Sequence, residues 1–139
     1  MIQDAEQQGL QITAGIDPRM TRTGRFLRKY KLDELPQLFD VVIGKMSLVG
    51  PRPEVPQYVD YYPVETRTLI QTIRPGVTDN ASIEFRFENA ILGQSSNPHQ
   101  TYIDEILPIK LHYYEDYVRN RSFWGDIWII LKTLRAVVR

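Results

Sequence analysis

Residues 29–53 read KYKLDELPQLFDVVIGKMSLVGPRP. Leu32, Leu35, Leu38, Phe39, Val42 and Ile43 recur at helical spacing and make one apolar face. Asp33, Glu34, Gln37 and Asp40 lie away from the centre of that face. Gly44 is placed to end the helix. Pro36 falls about one turn in, where a proline costs less than in mid-helix. The run GKMSLVGPRPEVP that follows holds too much Gly and Pro for regular structure.

Helical signals dominate on both sides of this stretch. MIQDAEQQGL is compatible with a short helix closed by Gly9, and GRFLRKY with a short basic helical piece. Residues 57–73 read as helical, with Pro63 able to start a second segment. RPGVTDN has the composition of a turn. In ASIEFRF, Ile83, Phe85 and Phe87 alternate with polar neighbours, the pattern of a short strand. Asn97-Pro98 has the form of a cap and a first helical residue. Two helices, about 99–119 and 122–138, finish the chain. The expected fold is mostly α with a short β element, an α+β arrangement of short helices in one small domain spanning residues 1–139, with amphipathic helices at the C-terminus.

Composition sets outer limits. The chain has 139 residues, 42% hydrophobic and 24% charged, which suits one globular domain. Seventeen basic side chains balance seventeen acidic ones, so net charge points to no partner. Its distribution does: Arg19, Arg22, Arg25, Arg28, Lys29 and Lys31 crowd one segment without an acid, which suits an anionic partner. The cluster is short and matches no nucleic-acid motif, so nucleic acid is not expected. There is no cysteine, which excludes disulfides and thiolate catalysis. No apolar run approaches the roughly 18 residues of a membrane span. His99 and His112 are too far apart in sequence to suggest zinc, and the tyrosines at 58, 61, 62, 113, 114 and 117 suit core or interface positions.

The chemistry-bearing residues lie in the opening stretch. Asp33 and Glu34 are neighbours, so on a helix they point about 100° apart and cannot clamp one atom face-on. They can border one spot at the helix start, one carboxylate reaching a reacting atom and the other holding a metal. The helix N-terminus favours both ions, and hard oxygen ligands beside phosphate suit Mg²⁺. Acids in a first turn are also ordinary dipole partners. Arg52 stands between Pro51 and Pro53, which restrict the backbone that presents it. A planar fork held this way suits phosphate, and equally suits a structural pairing with a nearby carboxylate.

Taken together, DPRMTRTG, GRFLRKYKLDELPQLFDVVIGKMSLVGPRP, RPGVTDNASIEFRFE and YYEDYVRNRSFWGDIWIILKTL resemble the bacterial sugar transferase family, the monotopic phosphoglycosyl transferases that act on polyprenyl phosphate. The likeness runs from about Asp17 to the C-terminus. It implies transfer of a sugar 1-phosphate from a UDP-sugar to undecaprenyl phosphate, with UMP leaving, in exopolysaccharide or other glycan assembly. It implies Asp33 as the nucleophile that forms an aspartyl phosphosugar, and Glu34 as its dyad partner and Mg²⁺ contact. Arg52 would hold a phosphate, and Arg28 belongs to the basic segment lining the site. The implied location is the cytoplasmic face of the bacterial inner membrane.

The resemblance also marks departures. A re-entrant membrane helix and a basic KFR segment usually precede the point where this sequence starts, so a catalytic domain without its front end is expected. Lys31 and Lys45 stand where the family commonly has Ser or Thr and Asp. At the other end, Phe123, Trp124, Ile127, Ile130, Leu131, Leu134 and Val138 form a broad apolar face beside Lys132, Arg135 and Arg139. That pattern fits a helix lying on a membrane surface, and equally a helix packed on the domain. A homo-oligomer is compatible with the sequence. A different class of function also stands: a catalytically weak module that binds nucleotide-sugar or membrane and works with a fuller partner.

Overall fold

The computed structural model describes residues 35–138, together with Thr21, Thr23, Gly24 and Leu27. Within that span the elements run α1 (Gln37–Val42), β1 (Ser47–Val49), α2 (Pro56–Val59), α3 (Val64–Ile70), β2 (Gly76–Thr78), α4 (Asn80–Glu84), α5 (Glu88–Gln94), α6 (Pro98–Thr101), a π-helical turn (Tyr102–Ile106), α7 (Leu107–Asn120) and α8 (Phe123–Val138). The fold is mostly α with one small parallel sheet, as the helical periodicity implied.

The two strands were not expected where they are. β1 falls in a run that looked too rich in Gly and Pro, and β2 in what looked like a turn. They pair in parallel, Ser47 with Gly76 and Val49 with Thr78. Both have only three residues, too short for an alternating pattern to show against the flanking turn signals. Residues 50–75, carrying α2 and α3, make the crossover that a parallel pair requires.

The expected strand at 81–87 is instead most of α4 and the turn after it. Asp79, in extended conformation, accepts from the backbone N–H of Ser82 at 2.8 Å and so caps the helix. Helical spacing then sends Ala81 and Phe85 into the core and leaves Phe87 62% exposed. A period of two was mimicked by three apolar residues, Ile83 in the helix and Phe85 and Phe87 in the turn that follows it.

The core joins Tyr58 of α2, Ala81 of α4, Leu92 of α5, Tyr102 and Ile106 of the π turn, and Leu107, Leu111 and Tyr114 of α7. The Tyr58 and Tyr102 rings pack tilted, 4.6 Å between centroids, within the favourable range for aromatic pairs. Tyr62 and Tyr113 pack at its edge; Tyr61 is exposed. His99 lies against Tyr58 and Tyr61, with its Nε2 3.2 Å from Gln57 Nε2.

The helix expected at 99–119 is present and continuous with α6, but one turn widens to π geometry. Pro108 has no N–H to give to Asp104, and its ring crowds that carbonyl, so the ladder opens just before it. Asn97 caps α6 as its sequence suggested, accepting from Gln100 N at 3.2 Å.

α1 and α8 leave apolar surface uncovered. Phe39, Val42 and Ile43 of α1 are 77%, 84% and 62% exposed. α8 packs on α4 and both strands through a narrow stripe in which Ile129 is buried and Gly125, Asp126, Ile130 and Thr133 are half-buried. Phe123, Trp124, Trp128, Leu131 and Leu134 all point away from the domain. The two alternatives for this helix therefore resolve by face: a thin stripe packs, and most of the broad apolar face stays outside.

Candidate active site

The segment Val49-Gly50-Pro51-Arg52-Pro53-Glu54 leaves β1 and is held at several points. Gly50 N donates to Thr78 O at 3.0 Å, and Gly76 N donates to Pro51 O at 2.9 Å. These bonds extend the sheet beyond its strands and bring two glycines into contact. A Cβ on Gly76 would stand 2.1 Å from Gly50 N, and one on Gly50 would stand 3.0 Å from Arg74 O. Gly50 also has φ +158°. The glycines of GPRP and RPG are thus required by each other.

Further along, Glu54 accepts a short hydrogen bond from the Tyr102 hydroxyl. That oxygen in turn accepts from Lys110 Nζ at 3.2 Å, and Lys110 forms an ion pair with Glu88 at 2.6 Å. Tyr102 thus donates once and accepts once, and each charge in the chain has a partner. Burial, with the Glu54 charge next in weight, pushes the Tyr102 hydroxyl well above the ordinary tyrosine range. At the other end, the Tyr117 hydroxyl lies 3.1 Å from Val49 O and 2.9 Å from Asp126 Oδ1. Burial and the Asp126 hydrogen bond push the Tyr117 hydroxyl up as well.

Arg52 sits half-buried between these clamps. Its positive charge is felt by the buried Asp79 and by Tyr114. Burial pushes the Asp79 carboxyl above the usual range, opposed by the two bonds from Ser82 and by Arg52. The arginine that the two prolines present is therefore near a carboxylate on β2's far end, and its backbone is tied to the same strand.

Of the sequence-derived candidates, Arg52 is described; Asp33, Glu34 and Arg28 lie outside the described residues, as do Lys31 and Gly9. Among the described residues no group of three or more His, Cys, Asp or Glu side chains is arranged to hold a metal. The residues that position Arg52 were not foreseen. Asp79 had a local signal, an Asp three residues before Ser82 at a helix start. Tyr102, Lys110 and Tyr117 had none, since the partners that bring them to this segment, Glu54, Glu88 and Val49, are remote in sequence, 48 residues from Tyr102 and 68 from Tyr117.

A sequence profile of the family described as Bacterial sugar transferase matches residues 1–139. The chain belongs to that family. Its curated relatives include a UDP-N-acetylgalactosamine-undecaprenyl-phosphate N-acetylgalactosaminephosphotransferase of Aeromonas hydrophila, 35% identical over 99% of this chain and 30% of the relative. An undecaprenyl-phosphate galactose phosphotransferase of Salmonella typhimurium is 38% identical over 88% of this chain and 22% of its own length. A UDP-glucose:undecaprenyl-phosphate glucose-1-phosphate transferase of Xanthomonas campestris is 38% identical over 88% and 23% respectively. The chain thus spans less than a third of the length of these sugar transferases. Their names give three different sugars and one lipid phosphate.

Proposed function

We propose that this chain is the catalytic part of a phosphoglycosyl transferase that moves a sugar 1-phosphate from a UDP-sugar to undecaprenyl phosphate. The observation that carries this reading is that relatives naming different sugars all name undecaprenyl phosphate. An Asp33 carboxylate oxygen attacks the sugar-linked phosphorus, the bridging P–O bond of the diphosphate breaks, and UMP leaves. An oxygen of the lipid phosphate then attacks the same phosphorus and returns the carboxylate. Arg52 and Arg28 hold phosphate oxygens as charge moves between them. Glu34 with Asp33 is a hard-oxygen donor pair of the kind that suits Mg²⁺, which when bound neutralises diphosphate charge.

Two features support this assignment. The segment around Arg52 is tied to β2 and Tyr117 through its backbone and to Tyr102 through the Glu54 side chain, so the backbone that presents the guanidinium has little freedom to lose on binding. The exposed apolar faces of α1 and α8 suit a domain that rests on the cytoplasmic face of the bacterial inner membrane, where a lipid phosphate lies at headgroup depth. Among the described residues no helix is long and apolar enough to cross a membrane.

The test is direct. The protein in detergent, with Mg²⁺, a polyprenyl phosphate and a panel of UDP-sugars, should release UMP, and Asp33→Ala should abolish release. Intact mass should show a phosphosugar adduct on Asp33 when the lipid is withheld. Binding of UDP-sugar with no UMP release in the wild type would replace the enzyme with the alternative, a nucleotide-sugar-binding module.

A further inference from the structure

Between α1, β1 and the start of α8 lies an open groove of about 720 Å³ whose lining reaches Val49 but does not include Arg52. Val41 and Met46 form one wall and Phe123, Ile127 and Ile130 the other, with Leu48 between them. Arg74 and Arg121 also line it, and both are exposed. Neither is in an ion pair with a described acid. Arg74 reaches toward the end of α1, with Nη1 3.7 Å from where a Cβ on Gly44 would stand. The one carboxylate in the lining, Asp126, already receives the Tyr117 hydroxyl.

We propose that this groove binds the polyprenyl monophosphate acceptor, with Arg121 and Arg74 holding its phosphate and the Leu48, Phe123, Ile127 and Ile130 side chains holding the first isoprene units. The proposal rests on the transferase reading above and adds where the acceptor sits. Charge complementarity selects the headgroup: two guanidinium forks share the lining with one already bonded carboxylate, leaving the groove cationic. Continuity selects the chain. The apolar walls run outward into the exposed faces of α1 and α8, so a long hydrocarbon leaving the groove stays against apolar surface. A nucleoside would find few fixed hydrogen-bonding partners on such walls, whereas a prenyl chain asks for none.

The tertiary arrangement also links this groove to the Arg52 segment. Val49 lines the groove, and its carbonyl is held by Tyr117 immediately before Gly50. An acceptor in the groove therefore lies against the strand that runs into the Arg52 segment.

Two measurements test the proposal. In the first, the acceptor KM and the UMP–UDP-sugar exchange rate, which needs no lipid, are measured for wild type, Arg121→Ala, Arg121→Lys and Arg74→Ala. Arg121→Ala should raise the acceptor KM about ten-fold, the loss expected for one charged phosphate contact, with Arg121→Lys recovering part of it. Exchange should persist in both. Unchanged acceptor KM in Arg121→Ala and Arg74→Ala would overturn the groove while leaving the transferase intact. In the second, a diazirine-bearing farnesyl phosphate is photocrosslinked to the protein, and adducts are mapped by mass spectrometry. Adducts should fall in residues 41–48 and 123–130, and undecaprenyl phosphate, but not phosphatidylglycerol, should suppress them. Adducts elsewhere, or equal suppression by phosphatidylglycerol, would overturn the site whether or not the chain turns over. Groove adducts in a wild type that releases no UMP would keep the site and remove the transferase reading.

Discussion

Gly76 and Gly50 show how little room the site's backbone has. An alanine at 76 would put its Cβ 2.1 Å from Gly50 N, against backbone that cannot rotate away. Gly76→Ala is expected to separate the strands and cost at least about 2 kcal/mol, at the level of other overpacked interiors. Thermal unfolding of the variant would measure this, and a melting temperature equal to wild type would contradict the contact. Asp79 makes a second prediction at this scale. Its folded-state pKa is raised, chiefly by burial. The ionised form is therefore the less favoured one in the native state, and the contribution to stability is fully present below the ordinary Asp value and lost as pH rises through the raised one. Asp79→Asn keeps an acceptor for the Ser82 N–H but cannot titrate. The stability of wild type relative to Asp79→Asn should increase as pH falls through that window, read from urea unfolding at a series of pH values; a difference that is flat with pH would remove Asp79 as the titrating group.

Among elements, the chain Glu54–Tyr102–Lys110–Glu88 ties the loop after β1 to the π turn, α7 and α5. Tyr102→Phe takes from Glu54 the donor to its Oε2, leaving only the Val55 N–H on Oε1, and takes one acceptor from Lys110 in a partly buried region. It should cost about 1–3 kcal/mol, the range for orphaned buried polar groups. Lys110→Met leaves the partly buried Glu88, whose side chain is 22% exposed, without its ion-pair partner and should cost about 1–3 kcal/mol, below the range for a fully buried pair. Urea denaturation of both variants gives these values. Because the two residues share one network, the double variant should lose less than the sum. This network was invisible in the sequence because no local pattern announces a contact across 48 residues. The α4 cap was legible in principle, yet the period-two appearance of Ile83, Phe85 and Phe87 concealed it.

For the whole molecule, α1 and α8 expose apolar surface of the kind that the proposed membrane-resting face requires. Trp124 and Leu131 are 77% and 53% exposed, with Lys132 and Arg135 nearby on the same helix. Replacing both apolar side chains by serine should lower partitioning into anionic vesicles by about ten-fold or more, equivalent to about 1.4 kcal/mol. The melting temperature in detergent should stay near wild type, because neither residue packs on the domain. Vesicle cosedimentation at two salt concentrations separates the apolar share from the charged share, since only the latter is screened. Unchanged partitioning would return these residues to an interface with protein.

By itself the sequence determined the helical class, the breaks at Gly44, Pro63 and Asn97-Pro98, the family, and the identity of Arg52 as a residue to watch. Those features follow from local periodicity, from residues whose backbone preferences act within a few positions, and from motifs contiguous along the chain. Tertiary structure alone decided the parallel pairing of β1 with β2, the mutual need of Gly50 and Gly76, the clamps on Glu54 and Val49, and which face of α8 turns outward. Each of these depends on groups far apart in sequence, and their energies arise only when the folded chain brings them within contact distance.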